Sequence, residues 1–249
     1  MSQTARATLI LVAANMAVYL VIFAGWLTRG FFPELPGSLT SSLAFPSSPE
    51  SYFSAPWTVF SYMFTHLSFI HLGINMLWLV GFGPMVRGGW KRTVAAYIAG
   101  GICGGGAFMA AALCEDIQDT NLAGASASVL AVVVATGIIS PNRKLDLFLI
   151  GDAKLKWVAA VAVITILAGS INFSPATAAH LGGMLAGVAI GVAVRYREKL
   201  ISLRAMEQAR QRTRRLGLIH KATMSGFASL SEPERLELFD LRNIKVNQN

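Results

Sequence analysis

The sequence predicts an all-α polytopic membrane protein, a bundle of six apolar transmembrane helices followed by a cytoplasmic helical tail. Three observations lead there. The 249 residues are 54% hydrophobic and 14% charged, with a mean hydropathy of +0.54, whereas a soluble domain carries about a quarter charged residues. Six stretches are apolar and long enough to be read as spans, at residues 8–26, 68–86, 93–113, 122–140, 157–172 and 176–194. The basic residues fall in alternate loops between them. The net charge of +8 is therefore topological, and no nucleic-acid partner is expected.

The first stretch is kept as structure rather than as a cleaved signal, because no small-residue cleavage site follows its apolar core. Residues 28–56 then make a long outer loop with five prolines (Pro33, Pro36, Pro46, Pro49 and Pro56) and with Phe31, Phe32 and Phe53. Its aromatics suit the headgroup region and its prolines suit a plain linker; Trp57 and Tyr62 look like interface anchors. Arg87, Lys91 and Arg92 lie between spans two and three, Arg143, Lys144, Lys154 and Lys156 between four and five, and Arg195, Arg197 and Lys199 after six. The opposite loops hold Arg29 as their one base, against Glu34, Glu50, Glu115, Asp116 and Asp119. By the positive-inside rule both termini are cytoplasmic, and the chain divides into a six-span domain at 1–195 and a basic tail at 196–249. Cys103 and Cys114 would stand about 16 Å apart on a helix, beyond disulfide reach, and read as packing residues.

This topology has a chemical consequence, since spans two, four and six all run inward from the outer surface. Ser126 is four residues into span four and His180 four residues into span six, about 6 Å below the start of each. His71 and Asn75 enter the same zone from span two at i and i+4, on one face. Gly183, Gly187 and Gly191 repeat every four residues, the pattern that lets helices approach closely in lipid. The segment expected to face them, residues 123–128 with Gly124, holds nothing larger than serine. Each residue alone has an ordinary explanation as packing or as a hydroxyl bonded across helices. Together they point to water-requiring chemistry inside the membrane. Ser126 and Ser128 are about 200° apart on a helix, so only one can face His180, and geometry alone does not choose between them. No Asp or Glu lies in any span, no HExxH occurs, and His66 and His71 are five residues apart, off helical register. No metal and no cofactor are expected. The charged or broken spans of a transporter are lacking too.

These residues carry a family resemblance. Gly124-Ala125-Ser126, the run 65–79 with His66, His71 and Asn75, and Ala179-His180-Leu181-Gly182-Gly183 with Gly187 resemble the signature of the rhomboid intramembrane serine proteases, over residues 57–194. The resemblance selects Ser126 as nucleophile and His180 as general base, a dyad without a carboxylate. It implies His71 and Asn75 as oxyanion donors, joined by the Ser126 N–H, and His66 at the rim of the cavity. It further implies an endopeptidase of a bacterial inner membrane, with the bilayer as its setting and transmembrane or membrane-proximal protein segments as substrates; the oligomeric state is not read from the sequence. A non-proteolytic relative that binds or moves membrane helices would keep the glycines and lose Ser or His, and both are kept here. Two positions depart from the family pattern: Ala127 stands where Gly is common, and Leu130 where an aromatic usually stacks on the base.

The tail opens with a predicted helix at 196–221, whose Arg204, Arg210, Arg212, Arg214 and Arg215 suit either anionic headgroups or simple solvation. Ser231-Glu232-Pro233-Glu234 reads as a capping box opening a short amphipathic helix through Leu236, Leu238, Phe239 and Leu241. The stretch 225–239 resembles a small C-terminal module attached to some bacterial rhomboids.

Overall fold

A computed structural model describes residues 1–117, 119–147, 151–168 and 173–239. It is an all-α protein. Helix α1 (Gln3–Leu27) starts where the Ser2 hydroxyl accepts the Ala5 N–H, at 3.2 Å. The expected loop 28–56 is largely folded, as α2 (Leu35–Leu43), strand β1 (Phe45–Pro46) and α3 (Pro49–Ser54). Its prolines explain this, because Pro36 and Pro49 occupy the first turns of α2 and α3, where a missing N–H costs nothing. Next come α4 (Thr58–Ser61), a 3₁₀ turn (Tyr62–Phe64), α5 (Phe69–Phe82), a second 3₁₀ turn (Gly83–Met85) and α6 (Trp90–Cys114). Strand β2 (Asn121–Leu122) pairs antiparallel with β1 and leads into α7 (Ser126–Ile139). A hairpin of β3 (Lys144–Leu147) and β4 (Gly151–Lys154) precedes α8 (Leu155–Ala168), and α9 runs Pro175–Ser225.

By length and apolarity α1, α6 and α9 can each cross a membrane, and Thr58–Phe64 with Phe69–Met85 forms a bent pair, turned by 94°. The stretches expected as spans four and five are shorter. Helices α7 and α8 have 14 residues each, about 21 Å against a hydrocarbon core of roughly 30 Å; residues 169–172 of span five lie outside the described residues. The physical reason is clearest for α7, of which all but Ser126 and Ile138 are buried. A helix surrounded by protein has no lipid thickness to match, and irregular backbone at its end is tolerated. Around it the outer helices present their apolar faces outward, with Ile10, Ile74, Leu77, Leu185 and Val192 exposed. Cys103 and Cys114 are exposed as well, not packed, because Gly101, Gly104 and Gly105 hold the inner face of α6.

Two glycine-lined helices clasp α7. Gly100 and Gly104 of α6 lie against Ala131 and Ala127, and Gly183 and Gly187 of α9 meet the backbone at the same two alanines. Ala127 therefore fits, because its methyl faces Gly104. Leu130 is buried in a cluster with Val134, Met184 and Leu181.

One compact unit is Met1–Arg195, and a second begins at Tyr196. Within the second, α9 continues past residue 221 to Ser225, and Gly226, at φ 80°, lets the chain turn. A 3₁₀ turn (Phe227–Ser229) and α10 (Glu232–Phe239) follow, with Leu218 and Leu230 buried and the Phe227 and Phe239 rings 5.6 Å apart. Leu241 lies outside the described residues. The Glu234 carboxylate reaches back to the Ser231 N–H at 2.7 Å, the capping contact, and also binds Lys221 at 2.9 Å. Those contacts, the Ser231 N–H first, hold Glu234 at about 2. Its folded-state value is lowered, so its contribution is fully present above about pH 4.5 and is lost as pH falls through about 2. A carboxyl-carbon NMR titration of the full chain should find Glu234 half-protonated near pH 2, with Lys221→Met moving the midpoint upward. An unshifted midpoint in the wild-type chain would dismiss the capping contact.

Candidate active site

The segment before α7 fixes where the helix begins. Gly124 sits at φ 131°, a conformation open to glycine, and a Cβ there would lie 2.7 Å from His71 Cε1. It is thus a backbone and close-approach glycine beside His71, not one that packs helix on helix. The Gly124 N–H donates to the Tyr62 carbonyl at 3.0 Å, and the Ala125 N–H donates to His66 Nε2 at 3.3 Å. Helix α7 then starts at Ser126, and its first closing bond runs from Val129 N–H to Ala125 C=O at 2.8 Å.

Ser126 is therefore the first residue of its helix, not four residues in. The difference matters chemically. Had the helix started at Leu122, the Ser126 N–H would be spent on that residue's carbonyl. At the first position it has no acceptor within the helix and lies at the positive end of the helix dipole. A donor aimed at developing negative charge is what an acyl-transfer site needs beside its nucleophile.

His180 comes from the first two turns of α9, three residues before Gly183, whose contact with Ala127 sets the spacing between α9 and α7. Ser126 Oγ and His180 Nε2 lie 2.9 Å apart. His180 Nδ1 is buried and has no hydrogen-bond partner among the described residues, so no third side chain there orients the ring. Both residues are half-buried. Ser128 is 1% exposed, its hydroxyl likewise without a partner among the described residues.

His71 and Asn75 follow on α5. His71 is half-buried beside Gly124. Asn75 is buried, and its amide donates to the His71 carbonyl at 2.9 Å and approaches His66 Nε2 at 3.5 Å. His66, expected at the rim, is instead fully buried. It follows the turn Tyr62–Phe64 on the way into α5, and its ring lies edge-on to His71 with centroids 5.3 Å apart. Its place is a support beneath the segment that leads into Ser126. Sequence reasoning missed this role and that of Tyr62, although a glycine two residues before a candidate nucleophile signals a break in the helix there.

Among the described residues no cluster of three or more His, Cys, Asp or Glu could hold a metal. The set offers a hydroxyl, an imidazole at hydrogen-bond distance and an adjacent backbone donor. Residues 54–197 match the family model of the Rhomboid domain. A comparison with curated proteins finds no match.

Proposed function

The chain belongs to the rhomboid family, and from that premise we propose that it is an intramembrane serine endopeptidase using Ser126 and His180 as a catalytic dyad. The observation that carries the reading is the 2.9 Å approach of Ser126 Oγ to His180 Nε2, within the reach needed for proton transfer.

In the mechanism, neutral His180 carries its proton on Nδ1 and accepts the Ser126 hydroxyl proton on Nε2. The Ser126 oxygen attacks the scissile carbonyl carbon, and the tetrahedral oxyanion is met by the Ser126 N–H with His71 and Asn75. Collapse breaks the C–N bond, and His180 returns the proton to the departing amine. Water, deprotonated by the same imidazole, then hydrolyses the acyl-enzyme. The favoured substrates are transmembrane or membrane-proximal segments weakened by Gly or Pro, because carbonyls locked in helical hydrogen bonds resist attack. The protease domain is 1–195 and the tail 196–249, with both termini cytoplasmic in a bacterial inner membrane. The site opens to the opposite side.

A fluorophosphonate probe tests the class and the residue together. Mass spectrometry of the labelled protein should find the adduct on Ser126, and Ser128→Ala should label like wild type. An adduct on Ser128 would move the nucleophile, and a chain that never labels would remove the reading. Replacing either oxyanion residue by alanine should lower turnover by about 10²–10³-fold, since each is one donor among several. Wild-type turnover in both His71→Ala and Asn75→Ala would return them to a packing role.

A further inference from the structure

We infer that Asn15 of α1, acting through Tyr97 of α6, is a positioning residue for the nucleophile's segment; the inference rests on the serine-protease reading above. Helix α1 lies outside the matched residues 54–197. In the middle of this apolar helix Asn15 is fully buried, a costly place for an amide unless its hydrogen bonds are made.

They are made to one purpose. Asn15 Nδ2 donates to its own helix at the Leu11 carbonyl, 2.8 Å, and to the Tyr97 hydroxyl, 3.0 Å. The Tyr97 hydroxyl, its oxygen thus engaged, donates its single proton to the Met63 carbonyl at 2.8 Å; Asn15 Oδ1, at 3.5 Å, is a poorer acceptor for it. Met63 is the middle residue of the turn Tyr62–Phe64. That turn is tied a second time, by the Tyr62 hydroxyl to the Gly101 carbonyl at 2.6 Å.

The turn is what the nucleophile's segment hangs from. Tyr62 offers the carbonyl that accepts the Gly124 N–H, and His66, just after the turn, offers the imidazole that accepts the Ala125 N–H. Asn15 thus fixes the Tyr97 hydroxyl, Tyr97 fixes the turn, and the turn fixes the two peptides before Ser126. All members of the chain are buried, so each bond is short of competing water.

The test measures fluorophosphonate labelling and single-substrate kinetics on folded full-length protein. Asn15→Ala and Tyr97→Phe should each lower kcat and the labelling rate by roughly 2- to 30-fold with KM unchanged, and the double variant should be no slower than Tyr97→Phe. Thr8→Ala serves as a control, since Thr8 packs α1 on Gly83 and its hydroxyl donates to the Thr4 carbonyl; it should label at the wild-type rate even if thermal stability falls. Wild-type labelling rates in Asn15→Ala and Tyr97→Phe, or an equal loss in Thr8→Ala, would overturn the inference and leave the protease reading standing. A wild-type chain that does not label at Ser126 would overturn both.

Discussion

Ser126→Ala and His180→Ala are each expected to lower cleavage of a transmembrane substrate by about 10⁴-fold or more, and the double variant should be no worse than either single one. The reason is that the two groups act as one unit: without the imidazole the hydroxyl keeps its proton, and without the hydroxyl the imidazole has nothing to activate. Removing either leaves the proposed oxyanion donors in place, so a small residual rate should remain. Initial rates in proteoliposomes, with thermal unfolding as the check on folding, decide the matter. Substantial activity in either single variant would discard the dyad, and losses that multiply in the double variant would mean that the two residues act separately.

Gly183→Val is expected to lower the rate by about 10²-fold, though Gly183 has no chemistry of its own. A methyl group built at Gly183 would overlap the backbone of Ala127, lying 2.8 Å from its Cα. Because the contact is with backbone, no side chain can move aside, so α9 must part from α7. Overpacking of this kind costs about 1–3 kcal/mol of stability. The larger effect is on position, since His180 rides on α9 three residues away. A misplacement of about 1 Å can lower a rate by 10²-fold. The matched control is Gly106→Ala on α6, which faces open space and should alter neither stability nor rate. A Gly183→Val enzyme with wild-type kcat would show that the spacing of these helices does not set the alignment of the dyad.

The residues that meet at the site were legible because each departs from what lipid favours: a histidine in an apolar stretch, an asparagine one turn from another histidine, glycines at four-residue intervals. Helix boundaries were less so. Residues 122–125 are as apolar as the helix they precede, and hydropathy does not register that Leu122 pairs as a strand with Phe45 or that Gly124 breaks the run. The folded loop 28–56 was hidden for a similar reason, since prolines that open short helices look in sequence like prolines that forbid them. His66 was misplaced because its role depends on the Ala125 peptide, 59 residues away, and periodicity carries no information about contacts at that range.

The pairing of β1 with β2 gives this protein two tempos. The ladder joins two residues of each strand, Phe45 to Leu122 and Pro46 to Asn121, extended by Ser47 N–H to the Thr120 carbonyl at 3.0 Å. Parting it sacrifices only a few bonds, each worth about 0.5–1.5 kcal/mol, whereas parting α7 from its neighbours would expose most of the core. Brief openings of the first loop therefore belong to the fast, low-energy end of the native ensemble, and separations of the helices to the slow end. The ladder can part and re-form many times while the packing around α7 is renewed only once.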